Sequence, residues 1–500
     1  METVSQIYRN PKGQAAKRFA IVCSLLFGSA ILGYAIVAAG DGPDTRIIGI
    51  AVLLIALFGG VAAFAYELPV IGLVRYAFIA SFFFKGDLSI FKVNEMEDPS
   101  GLNLSLTLLG GLILVIYDYF VDERREKVFP AGFTYLAIAL FICATISVLY
   151  AGPTALGGFS LFSVLTSILI SYAVASHFSR RERMIQLVAG IAVGLVFTGI
   201  ASLTQFTLDF PSNLPNFGTG TEEELLGTQS LLLSRVPAFL RTPTEMAWVV
   251  TTFIPVILAP VLCRVKTIAP AQKTLMAVAT VAGVAAVILS LARGSWIALV
   301  ATVPFLVLLG WFKLSAHEKR PYFLSVIAAV FFVGVLLSPL AGKIYDRLTM
   351  DDQGSSQIRV PLMETAMRMI DDNPLVGVGL NEYRSQMTRY DETGMFVSQV
   401  FPNPVHNIFA HITAEIGIPG GILFCLLILF SLYECFISAG TSDRLLFALA
   451  IGMGVGMIAF VISGTKEPGS LGSVRPPIRT CFFLFGAILA LGRICRRTGS

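Results

Sequence analysis

Two groups of residues in this 500-residue sequence have the types and spacing to do chemistry. The first is a set of arginines beside apolar runs. Arg293 stands between two such runs in LSLARGSWIALV, with no acidic neighbour in sequence. Arg235 and Arg241 flank the start of another in SRVPAFLRTPTEMAW, and Arg359 opens the polar side of an amphipathic stretch. An arginine beside hydrocarbon costs about 3 kcal/mol or more unless it is paired. Several guanidiniums facing one cavity suit a diphosphate, because the planar fork holds phosphate oxygens bidentately. The alternative for each arginine singly is a pair with Glu364, Asp371 or a lipid headgroup.

The second group lies in NPVHNIFAHITAEIGIPGG, residues 403–421. His406 stands just before an apolar helix and can titrate near neutrality, as a general base must. Its alternative is to cap that helix or bond a carbonyl. His411 follows at i+5, a spacing that does not stack two imidazoles on one helical face. No H-E-x-x-H, D-x-D or cysteine cluster supplies metal ligands instead, so no metal site is expected. Glu415 lies where the chain enters a span, and an ionisable group there is functional by default; the alternative is that it only orients a neighbour. Gly417, Gly420 and Gly421 allow a kink or a close helix contact.

These residues need elements to hold them, and composition names the solvent of those elements. The chain is 55% hydrophobic and 14% charged, with 36 Lys and Arg against 32 Asp and Glu. A soluble chain carries about 25% charge, so a soluble multidomain enzyme is excluded, as are disordered and disulfide-stapled classes. Apolar runs approach the roughly 20 residues of a helical span, which favours a helical bundle over a barrel of alternating strands. A net charge of +4 without basic, aromatic-interleaved runs offers no nucleic-acid partner. The seven cysteines lie within or at the ends of apolar runs and read as small buried hydrophobes.

Fourteen candidate spans follow, near 19–39, 46–66, 68–84, 102–120, 129–150, 157–176, 184–207, 245–263, 273–291, 295–312, 322–340, 408–433, 444–463 and 479–495. The third is weak because Glu67 and Arg75 interrupt it, and a count of 12 or 13 is also open. The run 19–39 is too long for a signal-peptide core and stays as a first span. The ninth and tenth spans are joined by a tight turn at Arg293-Gly294. More than half of the Lys and Arg residues fall on one side in short loops and tails, which makes that side cytoplasmic and places both termini there. His177 and His317 fall in loops on this side. The long segments, about 208–244 and 341–407, are then external, and no internal loop is large enough to bind a nucleotide. Within the longer one, Gln357–Asp372 places Ile358, Leu362, Ala366 and Met369/Ile370 on one helical face, expected to pack on the membrane surface.

LARGSWIAL, IRVPLMETAMRMIDDNPLVGVGLNEY and PVHNIFAHITAEIGIPGG, in that order, resemble the successive signatures of bacterial O-antigen ligases and polymerases. RVPAFLRTPTEMAWVV is similar to that family's upstream segment, so the resemblance runs over about 235–425. It implies a GT-C-like architecture with a helical periplasmic loop for the all-α, polytopic transmembrane bundle of 12–14 spans that the apolar runs give, a count whose upper end exceeds the family's usual number of about 12. It also implies cofactor-free, metal-independent transfer from an undecaprenyl-diphosphate-linked glycan donor to a glycan or lipid A core acceptor, in the bacterial inner membrane. Carried over by position, His406 matches the catalytic histidine and Arg293 and Arg359 match the diphosphate-binding arginines. Arg241, Asn407 and Glu415 are supporting matches. The organisation expected is an N-terminal bundle at 1–230, a catalytic region at 231–440 that includes the loop 341–407, and C-terminal helices at 441–500.

Two other classes compete. A transporter of sugars or lipid-linked glycans fits the span count, but such proteins place polar sites near the midplane and show internal repeats; here no repeat is visible and the polar residues gather at the outer boundary. A peptidoglycan polymerase shares the lipid substrate without these motifs. Ligase and polymerase share a donor, and the sequence leaves that choice open.

Overall fold

The computed structural model describes residues 70–84, 87–90, 102–120, 128–152, 155–207, 236–338, 341–349, 355–473 and 475–499. The expected spans 19–39 and 46–66, Arg235 and most of the first long loop lie outside the described residues. In chain order the elements are α1 (Val70–Ala80), β1 (Asp87–Ile90), β2 (Leu102–Ser105), α2 (Leu106–Phe120), α3 (Ala131–Ala151), α4 (Ala155–His177), α5 (Arg181–Thr207), α6 (Pro243–Leu262), α7 (Pro270–Leu289), α8 (Arg293–Phe312), α9 (Ala316–Leu337), α10 (Ala341–Thr349), α11 (Ser355–Asp372), α12 (Tyr383–Tyr390), α13 (Val397–Val400), α14 (Ile408–Ala439), α15 (Arg444–Gly464) and α16 (Pro476–Thr498). Among the described residues, nine helices are long and apolar enough to cross a membrane: α3 to α8 and α14 to α16. The protein is an all-α, multi-pass membrane protein.

Two expected spans take another form. The run 68–84 holds only the short helix α1, and the run 102–120 begins as strand β2 before the short helix α2; β1 and β2 form an antiparallel pair in which Asp87 faces Ser105 and Ile90 faces Leu102. The tight turn also shifts: Ser290–Ala292 makes it, and Arg293 is already the first residue of α8. α9 takes up the expected run 322–340 as far as Leu337, with Phe323, Leu324, Ile327 and Phe331 exposed, and is not among those nine.

Lipid tails are as apolar as leucine, so helices in a bilayer associate by close packing of small residues rather than by hiding apolar ones. α6, α15 and α16 are mostly buried and form the centre, whereas α3, α7 and α8 turn most of their surface outward. α15 approaches α6 through Gly452 and Gly456, four residues apart. A methyl group on them would come within 2.8 Å of the Pro255 carbonyl and 2.6 Å of the Thr252 carbonyl, so larger residues would force the helices apart. Trp248 of α6 stacks on Phe460 of α15, with ring centroids 5.0 Å apart, and its indole N–H donates to the Phe460 carbonyl at 3.0 Å.

Ion pairs fasten one end of the bundle. Arg181 pairs with Asp443 at 2.6 Å and Arg444 with Glu318 at 2.7 Å, while Lys313 donates to the Thr441 carbonyl at 2.8 Å. His177, expected in a loop at this end, is instead the last residue of α4 and fully buried. Its Nδ1 bonds Asp118 at 2.8 Å, and its Nε2 accepts from Arg75 at 2.7 Å. Arg183 joins Asp118 at 3.1 Å, and Arg75 also donates to Gln186 at 3.0 Å. Arg75 therefore interrupts an apolar run because it serves a buried network linking α1, α2, α4 and α5. The described parts of the long segment 341–407 and of the loop 465–475 lie at the opposite end, before α14 begins and after α15 ends.

Candidate active site

The site begins where the chain enters α14. Asn407 is the N-cap: its side-chain oxygen accepts from the backbone N–H of Phe409 at 2.9 Å and of Ala410 at 3.2 Å. Such a cap satisfies N–H groups that the first turn leaves unpaired, so Asn407 acts on the backbone and fixes the residue before it. That residue is His406. Its ring lies near that of Phe401, with centroids 5.9 Å apart, and its Nδ1 is buried with no hydrogen-bond partner among the described residues. Burial depresses its pKa to about 4, and the charges of Arg359, Arg475 and His411 push the same way against the Pro404 carbonyl. The imidazole is thus neutral at pH 7, with a nitrogen able to accept a proton.

About two turns into α14 the helix breaks. Ile416 (φ −122°, ψ 17°) and Gly417 (φ 76°, ψ 171°) leave helical geometry, and Pro419 has no N–H to continue the ladder. The broken backbone is not left unpaired. The Ala414 and Glu415 carbonyls accept from the N–H of Val378 and Gly379 at 2.9 and 3.1 Å, and Ile418 N–H donates to the Pro374 carbonyl at 2.8 Å. The N-P-x-x-G-x-G segment after α11 is therefore a plug seated in the kink of α14. Gly377 and Gly417 are needed at the contact: both have positive φ, and a methyl group on either would lie 2.3 to 2.4 Å from the facing carbonyl oxygen. The kink expected near Gly417 is present, and its partner is a segment some 40 residues upstream.

The plug orients α11. Leu362, Ala366, Met369 and Ile370 are buried on one face, while Arg359, Glu364 and Asp371 are exposed on the others, as the helical spacing predicts. The apolar face, expected against the membrane surface, packs instead on protein: Tyr383, Met387, Tyr390, Val397, Val405 and Ala414. Plug and kink hydrogen bonds pull α11 onto α14, and this places Arg359 where its charge acts on His406.

Glu415, 1% exposed, lies in the kink. Its carboxylate pairs with His411 Nε2 at 3.1 Å and accepts a short hydrogen bond from the Ser470 hydroxyl; its carbonyl also accepts from Ser147 at 2.6 Å. The neighbour Glu415 orients is therefore His411, one helical turn back, rather than His406. His411 packs edge-on to Tyr383, with centroids 5.0 Å apart.

The remaining arginines arrive from other elements. Arg475, just before α16, adds a second positive charge near His406 and approaches Glu245, in the first turn of α6, at 3.7 Å. Arg241 is half-buried in the turn leading into α6, two residues before its first. Arg293 opens α8, and the adjacent Gly294 lies against Lys466, where a methyl group would come within 3.1 Å of the Lys466 Cβ. His406 and Arg359 are thus close enough for their charges to interact, Asn407 caps the helix that follows, and Glu415 pairs with His411; Arg241 stands before α6, and Arg293 opens α8 with its neighbour Gly294 against Lys466. The motifs missed Arg475, Ser470 and Glu245. Arg475 and Arg479 do carry a signal, because they stand at the start of an apolar span, as Arg293 does. No group of three or more His, Cys, Asp and Glu side chains is placed to hold a metal ion among the described residues.

Residues 278–425 match the family described as O-antigen ligase. This stretch is similar to an O-antigen ligase domain. No curated protein matches the chain significantly. The domain runs from within α7 to within α14 and contains Arg293, Arg359, His406, His411 and Glu415. Ser470, Arg475 and Glu245 come to it from helices and loops on either side of the match. The O-antigen ligase family consists of membrane enzymes that transfer glycans, acting on lipid-linked glycans and their acceptors.

Proposed function

We propose that this protein moves a glycan from an undecaprenyl-diphosphate carrier to an acceptor hydroxyl, at the periplasmic face of the bacterial inner membrane. The observation that carries this reading is the buried, unpartnered Nδ1 of His406, facing the charges of Arg359 and Arg475 within the O-antigen ligase domain. In the reaction, the acceptor hydroxyl gives its proton to His406 as its oxygen bonds the anomeric carbon of the donor sugar. The bond from that carbon to the diphosphate breaks, and the electron pair leaves with the diphosphate. Arg359, Arg293 and Arg241, joined by Arg475, neutralise the charge developing there, a task arginines perform at a membrane boundary without a metal. Asn407 positions the base through the backbone. Residues 231–440 are the catalytic region, and the helical segment 341–407 forms a wall over the site. The bulk of the loops would then be periplasmic and both termini cytoplasmic, in accord with the distribution of Lys and Arg.

The test is transfer by the purified protein from a lipid-linked glycan, with and without His406→Ala. Loss of transfer in a folded variant is expected, and full turnover by it would remove His406 as the base. Gene deletion separates ligase from polymerase. Long lipid-linked chains left unattached identify a ligase, whereas single repeat units left unjoined identify a polymerase.

A further inference from the structure

His411 is 4% exposed, and its two ring nitrogens have opposite fates. Nε2 is held by the Glu415 carboxylate at 3.1 Å, and Glu415 is itself held by Ser470. A carboxylate oxygen accepts, so Nε2 is the nitrogen that donates to Glu415, and Nδ1 is the one left for another partner. That Nδ1 is buried and has no partner among the described residues. A buried acceptor with no donor is costly and calls for one. His406, five residues away, presents a second unpartnered Nδ1, and the two rings are close enough to interact electrostatically. A purely structural histidine would have both nitrogens satisfied, as His177 does at the other end of the bundle. The donor that a glycan-handling site supplies is a sugar hydroxyl.

We propose that His411 is a second substrate-contacting histidine, whose Nδ1 accepts a hydrogen bond from a sugar hydroxyl of the bound glycan. Glu415 and Ser470 are positioning residues that fix its tautomer. This rests on the glycan-transfer reading, with His406 as the base and His411 as a binding contact that tells one glycan from another.

Two substitutions separate this role from a structural one. His411→Gln keeps a donor near Nε2 for Glu415 but removes the acceptor at Nδ1. His411→Asn keeps a polar atom near Nδ1 and drops the contact with Glu415. With purified protein in lipid nanodiscs, KM for the lipid-linked donor and for the acceptor glycan is measured separately. H411Q is expected to raise one of the two about tenfold with a much smaller fall in kcat, the signature of lost binding, and to lose more than H411N. The KM that rises identifies whether donor or acceptor owns the hydroxyl. Glu415→Gln, whose amide would donate to Nε2 and drive the ring proton to Nδ1, should raise the same KM. The reverse order, with H411N the more impaired and H411Q near wild type, overturns the proposal, as does an unchanged KM for both substrates in H411Q. Thermal unfolding of each variant shows whether a loss of activity is a loss of fold; a destabilised H411Q with unaltered KM also overturns it. A fully active His406→Ala control would instead overturn the assignment of the base, whatever His411 does.

Discussion

Substituting Gly417 by alanine tests how the site is assembled. Gly417 has φ 76° and ψ 171°, a region that essentially only glycine occupies. Forcing alanine into it costs about 1–3 kcal/mol. The new methyl group would also lie 2.4 Å from the Leu375 carbonyl oxygen, a contact that cannot stand. The obstructing atom is backbone, so relief requires the plug to lift from the kink. Lifting breaks the hydrogen bonds of Val378 to Ala414, Gly379 to Glu415 and Ile418 to Pro374. Each contributes about 1 kcal/mol net, and more if its buried partner stays unpaired. The total is about 4–6 kcal/mol if strain and all three bonds are lost together, a large share of the stability of a typical domain. Because the same plug seats α11, Arg359 should move away from His406. Thermal unfolding in nanodiscs should show a markedly lower Tm, and transfer should fall by more than the unfolded fraction explains. Wild-type Tm and activity for Gly417→Ala would refute the plug-and-kink account.

Other predictions concern charge. His406, depressed to about 4 from an ordinary value near 6.5, favours the folded state above pH 6.5 and loses that contribution as pH falls through 4. The acid limb of kcat/KM, which reports the free enzyme, should therefore lie near pH 4, and a limb at or above 6.5 would contradict the buried, arginine-flanked geometry. Arg359→Ala should move that limb to higher pH by removing a cation, while abolishing most transfer; an unmoved limb would separate Arg359 from the base. Asp118→Ala should destabilise the protein by about 3–5 kcal/mol, because it leaves Arg183 and the donor side of His177 buried without their carboxylate. Folded Asp118→Ala protein should nevertheless keep its transfer rate, and a loss of rate at unchanged Tm would place that network in the mechanism.

Much was legible in the residues. The charge deficit named the bilayer as solvent and helices as the elements, since a chain in lipid must satisfy its own backbone. The helical spacing in α11 divided its faces correctly, and the order of motifs pointed to the matched family. Local pattern sufficed there because the interactions are local: a turn, a cap, an amphipathic face. The pairing of His411 with Glu415 was also within reach, as four residues on a helix share a face.

Span boundaries and partners were different. In a bilayer both lipid and protein neighbours are apolar, so hydropathy cannot tell α6, buried at the centre, from α3, largely exposed. Nor does it show that the runs holding α1 and α2 give way to a strand pair. The candidate site depends on encounters that no spacing encodes: Val378 and Gly379 filling the kink at Gly417, Ser470 reaching Glu415, and Arg475 arriving beside His406. The sequence alone determined the solvent, the helices and the chemical types available. Only the tertiary structure decided which of them meet, because those meetings depend on backbone contacts and buried charges brought together by packing.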